Sequence, residues 1–166
     1  MKKIIFTALL AGTIIAAKAQ TTNNAITEHD PKVKAADSTI NADIIQPARD
    51  AAGDDAPDWA DLSKTITAKY DAVTADRTIT KARIYFYYGK NWPAFCDGIV
   101  RYTDNWELAN DYKLLNGNAG MILKNSTDQA QLKEAQKWSK MAADRDPNNA
   151  GYKATYDALT AKISVN

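Results

Sequence analysis

The chain of 166 residues has one cysteine, Cys96, and one histidine, His29. One cysteine cannot form an internal disulfide or a C-x-x-C redox pair, and one thiolate with one imidazole cannot complete a zinc site. Cys–His or Ser–His–Asp catalysis would need His29 as its base, and this residue lies in a polar segment outside the predicted fold. The sequence therefore indicates a non-enzymatic protein without a metal or cofactor.

Glycine is sparse, and neither sign of charge dominates. The seven glycines are scattered, so the chain has no glycine-rich loop that could hold a phosphate group. The 21 Lys and Arg residues are balanced by 20 Asp and Glu residues. Nucleic-acid binding and attachment to an anionic membrane both need a clustered basic excess. We therefore expect neither nucleic acid nor a membrane surface as a partner.

Residues 1–19 have the pattern of a cleaved signal peptide. Two lysines precede an uncharged apolar run, Ile4–Ala17, and small residues end the segment, which predicts cleavage between Ala19 and Gln20. The apolar run is shorter than the ~20 residues of a membrane-spanning helix. No cysteine follows it to accept a lipid. The expected product is periplasmic or secreted, not a lipoprotein, with a net charge of −2 because three lysines leave with the signal.

Residues 20–56 form a polar stretch rich in Thr, Asn, Asp and Ala, with no aromatic residue. Its few apolar residues cannot bury enough surface to offset the entropy lost on ordering. We predict a flexible linker, with at most a short helical turn near Val33–Ile45.

Apolar residues recur at spacings of three and four in residues 57–166, which is typical of one face of a helix. The predicted class is all-α, with about six antiparallel helices joined by short turns. The first helix carries an inward face that ends with Tyr70 and Val73, and the second begins near Asp76 and ends at Gly89. The expected core positions of the later helices include Phe95, Ile99, Tyr102, Leu108, Leu115, Ala119, Ile122, Leu132, Ala135, Trp138, Ala142 and Leu159.

Two of the predicted helices contain residues that are unusual within a helix. The run Ile84–Tyr88 favours a strand by composition, but no second strand is present to pair with it, so we predict a helix packed on both sides. The fourth helix is expected over Trp106–Leu123, where Gly117 and Gly120 indicate close approach of a neighbouring helix.

The fifth and sixth predicted helices partly match a tetratricopeptide unit. Ala135 and Ala142 are small residues seven apart on one helix, and Pro147 ends it, as in the second helix of such a unit. The first helix of the pair has Ala119 in place of the usual Trp. The pattern predicts a tetratricopeptide-like (TPR-like) stack without a regular repeat.

The same region resembles the helical, TPR-like C-terminal portion of exported thioredoxin-family proteins of Bacteroidota. The resemblance covers roughly residues 58–163 and depends on the segments 115–119, 132–139 and 152–159. Redox chemistry in that family belongs to a separate thioredoxin domain with a C-x-x-C pair, which this chain lacks. The resemblance therefore implies a helical module to which no catalytic residue carries over.

Cys96 follows Phe95 on the third predicted helix, and two interpretations of it stay open. It can be a reactive thiol that forms an intermolecular disulfide, which would make the protein a redox accessory of a thioredoxin-type system. It can also be a small buried hydrophobic residue, which is how free cysteine usually behaves.

Aromatic residues are abundant after Ala56 and supply the candidate binding residues. Tyr87, Trp92 and Trp106 lie near predicted helix ends, where a flat amphipathic ring can contact a partner at little entropic cost. The primary hypothesis is an interaction module that binds a protein or peptide. The alternatives are the redox accessory and a carbohydrate-binding helical protein.

Overall fold

The computed structural model describes residues 30–107 and 109–165, and every regular element within these ranges is a helix. The predicted all-α class is confirmed. The signal peptide with its cleavage site at Ala19 and Gln20, together with His29 and Leu108, lies outside the described residues. The seven helices are α1 (Pro31–Ile40, a π-helical turn Asn41–Ile45, and Gln46–Ala52), α2 (Trp59–Lys69), α3 (Ala72–Tyr87), α4 (Trp92–Trp106), α5 (Tyr112–Asn125), α6 (Gln129–Arg145) and α7 (Ala150–Val165).

Short polar side chains start most of these helices. The carboxylate of Asp71 accepts a hydrogen bond from the amide of Thr74, and Asp58, Asp111 and Asp128 make the same kind of contact at the starts of α2, α5 and α6. Such caps satisfy amides that have no partner within the helix.

Within residues 30–107 and 109–165, none of the helices has the length and hydrophobicity of a membrane-spanning segment.

Helix α1 occupies residues 31–52 of the stretch 20–56 for which composition predicts a flexible linker, so the described part of the chain has seven helices rather than about six. Val33, Ile40 and Ile45 are buried, and Ile40 and Ile45 share a cluster with residues of α2 and α3. Average composition underestimates these few, well-placed residues. The π-helical turn ends two residues before Pro47, whose ring would clash with a carbonyl in a regular α-helix.

The buried residues form two clusters. The first joins α1, α2 and α3 through Ile40, Ile45, Leu62, Ile66, Ala75, Ile79 and Ala82. The second joins α4 to α7 through Phe95, Cys96, Ile99, Leu115, Ala119, Ile122, Leu132, Ala135, Trp138 and Leu159, with Ile84 and Tyr87 of α3 packed against it. Helix α3 therefore contributes to both clusters.

A buried ion pair fastens α1 to α3. The guanidinium of Arg77 donates a 2.5 Å hydrogen bond to Asp37. The Thr78 hydroxyl lies 3.2 Å from the same carboxylate oxygen and 2.8 Å from the Thr74 carbonyl, so its one proton is shared between these acceptors. The Arg77 side chain is only 3% exposed. Breaking such a pair leaves an uncompensated buried charge, so this contact defines how α1 sits on α3.

Three predicted details of the helices are wrong. Helix α2 ends at Lys69 and α3 is capped by Asp71, so Asp76 lies inside α3 and Val73 is exposed rather than inward. The fourth predicted helix is displaced, because α4 continues to Trp106 and Asp111 caps α5. The capping carboxylate lies five residues earlier than expected at the start of α3 and five residues later than the expected start of the fourth helix.

The predicted close approach at Gly117 and Gly120 is also wrong, and it occurs at Gly98 instead. A side-chain carbon added at Gly117 or Gly120 would meet open space. At Gly98 it would lie 2.7 Å from Ile84 Cγ1, so α3 and α4 pack too closely there for any side chain. The contact holds together the two helices that form the main groove described below.

Replacement of two glycines by alanine tests this packing. We expect Gly98→Ala to lower the free energy of unfolding by about 1–3 kcal/mol, because the methyl group overpacks the α3–α4 contact. The matched control Gly117→Ala, in open space within a helix, should raise it by up to about 1 kcal/mol. Urea unfolding followed by circular dichroism measures both. Equal stability of Gly98→Ala and the unchanged protein would contradict the contact.

Candidate functional site

The aromatic run at the end of α3 is helical, as predicted, but it is not packed on every side. Phe86 is buried and Tyr87 is half-buried, whereas Tyr85 is 67% exposed and Tyr88 is 58% exposed. Phe86 lies four residues after the buried Ala82 and shares its inward face, whereas Tyr85 and Tyr88 lie four and seven residues after Lys81 on the outward face. The run therefore supplies both core and surface.

Tyr88 belongs to an aromatic trio with two residues of α4. Its ring lies 5.6 Å from that of Trp92 and 5.5 Å from that of Phe95, and Trp92 and Phe95 are themselves 5.6 Å apart. All three pairs meet edge to face, an arrangement that stabilises aromatic contacts. Asn91 caps α4 and places Trp92 at its first position. The trio is thus held rigid while Tyr88 and Trp92 remain accessible.

An apolar groove of about 520 Å³ lies beside this trio, between α3, α4 and α5. This size is within the range of typical ligand pockets. The lining is mainly aliphatic and aromatic, with a few polar side chains. The lining residues are Lys81, Ile84, Tyr85, Tyr88, Phe95, Ile99, Tyr102, Thr103, Glu107, Leu114, Asn118 and Met121. We call this feature the apolar groove.

Exposed apolar side chains gather at the apolar groove. Six large hydrophobic residues are exposed in the described part of the chain; Tyr85, Tyr88 and Met121 line the groove, and Trp92 contacts Tyr88. Only Val73 and Val165 lie elsewhere. Contiguous exposed apolar surface of this kind marks an interaction site more often than scattered single residues do.

The polar groups of the apolar groove are few and partly engaged. The Asn118 amide donates to the Thr103 hydroxyl at 2.9 Å, and the Lys81 ammonium lies 6.0 Å from the centre of the Tyr102 ring. Such a surface can bury an apolar side chain, and it presents few free hydrogen-bonding groups. This lining favours a hydrophobic ligand segment over a sugar.

The sequence-predicted binding residues have different surroundings. Trp92 borders the apolar groove. Tyr87 is engaged inside the fold, where its hydroxyl accepts a 3.2 Å hydrogen bond from Trp59 and its ring meets Phe86 edge to face. Trp106 is half-buried at the end of α4 and does not line the groove. The structure brings only Trp92 to the site.

Sequence reasoning missed Leu114 and Met121 as groove residues. Leu114, Asn118 and Met121 lie at positions i, i+4 and i+7 of α5. Each comes one residue before a core position, which is Leu115, Ala119 or Ile122. This second stripe next to the core stripe is a visible signal, because apolar residues there exceed what a single buried face requires.

A second cleft lies between α3, α4 and α6, but its polar residues serve the fold. Asp97 accepts a hydrogen bond from Gln131, Arg101 pairs with Asp76, and Asp128 caps α6. Within the described ranges, no group of three His, Cys, Asp or Glu residues could hold a metal ion. The apolar groove is therefore the better candidate.

Cys96 is completely buried in the second cluster and does not line the apolar groove. Burial, followed by the negative charge of Asp97, raises the pKa of its thiol to about 11. The thiolate is the nucleophilic form, so the folded protein holds this thiol protonated and out of reach. The geometry favours the interpretation as a small hydrophobic residue.

Comparison with protein-family models, with curated proteins and with solved structures finds no match to this chain.

Thiol labelling tests the burial of Cys96. At pH 8 we expect 5,5′-dithiobis(2-nitrobenzoate) to react with the folded protein at least a hundredfold more slowly than with protein in urea. Rapid labelling of the folded protein would contradict the burial of Cys96.

The raised pKa of Cys96 also makes the free energy of unfolding depend on pH. Its contribution is fully present below about pH 9 and is lost as the pH rises towards 11. Cys96→Ala should remove that part of the pH dependence.

Proposed function

We propose that the chain is an exported, non-enzymatic interaction module whose apolar groove binds an apolar segment of a protein or peptide partner. The observation that carries this proposal is the gathering of Tyr85, Tyr88, Trp92 and Met121 at one groove. Burying a few such side chains against a ligand gains roughly 1.5–3 kcal/mol for each residue fully covered.

The packing order of the later helices supports a TPR-like stack as the scaffold. Helix α6 packs against α5 and α7, and contacts also join α4 to α6 and α5 to α7. Ala119, Ala135 and Ala142 are fully buried at these contacts, where small residues permit close approach. Stacks of this kind present extended surfaces to partners, which agrees with a binding role.

Export is part of the same proposal. The signal-like pattern of residues 1–19 and the predicted cleavage between Ala19 and Gln20 support a periplasmic or secreted module. The resemblance to exported Bacteroidota proteins suggests the same location.

The two alternative functions have less support from the geometry. A redox accessory would need an accessible thiol, and Cys96 is buried with a raised pKa. A carbohydrate-binding protein would need many polar groups beside its aromatic rings, whereas the lining of the apolar groove is mainly aliphatic and aromatic. A partner with apolar side chains fits the groove better.

Peptide selection tests the proposed function. A library of random twelve-residue peptides displayed on phage should yield peptides that bind the protein with micromolar Kd. We expect Met121→Glu to weaken their binding at least tenfold, because the complex would bury an unpaired carboxylate. Fluorescence anisotropy with labelled peptides measures the affinity.

The matched control is Val73→Glu, which introduces the same charge at an exposed apolar residue away from the apolar groove. Its affinity should stay within twofold of the unchanged protein. If no peptide is recovered, or if both variants bind equally well, the apolar groove is not the binding site.

A further inference from the structure

We propose that the partner segment carries acidic residues beside its apolar anchor, and that these residues bind a second, basic groove next to the apolar groove. This inference rests on the proposed function and specifies the chemistry of the partner. It depends on three observations: the two grooves adjoin, the second groove has excess positive charge, and one of its cations contacts an aromatic ring.

The second groove lies between α1 and α3 and also has a volume of about 520 Å³. Lys81 and Tyr85 of α3 line both this groove and the apolar groove. The two grooves are therefore neighbours on opposite sides of one helical ridge. A single extended segment that crosses this ridge can occupy both.

Positive charge dominates the second groove, which we call the basic groove. Its charged lining consists of Lys34, Arg49, Lys81 and Asp37. The carboxylate of Asp37 is already neutralised by the buried Arg77. Lys34 and Arg49 form no ion pair with any residue of the described ranges. Asp50 accepts a hydrogen bond from Gln46, a lining residue of the groove.

Arg49 contacts an aromatic ring before any ligand arrives. Its guanidinium lies 5.9 Å from the centre of the buried Phe86 ring, whose electron-rich face attracts cations, and the Lys90 ammonium lies 4.6 Å from the same ring. Less side-chain entropy is lost when a group that is already ordered binds an anion. A planar guanidinium also suits a carboxylate, to which it can donate two parallel hydrogen bonds.

The geometry also gives the spacing of the partner's residues. The ridge between the grooves is one helix, about 10 Å across. An extended peptide covers about 3.3 Å with each residue, so about three residues separate the apolar anchor from the first acidic residue. The partner chemistry is therefore an aromatic or aliphatic residue with aspartate or glutamate about three positions away.

Charge reversal in the basic groove tests this inference with the same displayed library. Peptides selected on the unchanged protein should be enriched in Asp and Glu about three positions from an apolar residue. In 50 mM salt, Lys34→Glu/Arg49→Glu should weaken their binding at least tenfold, and the difference should shrink in 500 mM salt because ions screen the attraction. The control Lys64→Glu/Lys124→Glu changes the net charge equally at exposed residues outside both grooves.

Further outcomes separate this inference from the proposed function. Selected peptides without acidic enrichment, or an affinity of the reversed variant within twofold of the original, would overturn the inference and leave the proposed function standing. Recovery of no peptide would overturn the proposed function itself. Lys34→Gln/Arg49→Gln is a milder variant with the same expected direction if the reversed protein does not fold.

Sedimentation velocity covers the other occupant that these surfaces could accept, a second copy of the chain. We expect a monomer at the concentrations used for binding. A dimer that Met121→Glu dissociates would assign the grooves to self-association and overturn the inference.

Discussion

Helix α3 must pack against two hydrophobic clusters at once, and the rest of the structure follows from this constraint. Ala75, Ile79 and Ala82 enter the cluster formed with α1 and α2, while Ile84 and Tyr87 pack against the cluster of the later helices. A helix that uses two faces for packing leaves a third face outward. On α3 this outward stripe includes Lys81, Tyr85 and Tyr88, and it forms the ridge beside which both grooves lie.

The buried pair between Arg77 and Asp37 is the polar part of the same constraint. Taking both charges out of water costs free energy, which their attraction and the contact with Thr78 offset in part, since Arg77 Nε is buried without a hydrogen-bond partner in the described ranges. A purely apolar contact could hold α1 with comparable strength, whereas this pair joins one atom of α1 to one atom of α3. Because α1 forms a wall of the basic groove, this pair defines the shape of that groove as well as the fold.

Periodicity predicts the later helices well, because each carries one continuous apolar stripe; Phe95, Ile99 and Tyr102 are an example, and all three are buried. It predicts α1 poorly, because only Val33, Ile40 and Ile45 are buried in that helix and a π-helical turn alters their spacing. The aromatic richness of the site was visible in the sequence. Its location was not, since the apolar groove needs α3, α4 and α5 together, and their arrangement depends on the contact at Gly98.

Residues 31–52 belong to the fold and form one wall of the basic groove. Amide hydrogen exchange followed by NMR can verify this placement. We expect Ile40 and Ile45 to exchange as slowly as Ile66 and Ala82, with which they share a cluster. If Ile40 and Ile45 exchanged at the rate of an unfolded chain while α4 to α7 stayed protected, this placement of α1 would be wrong.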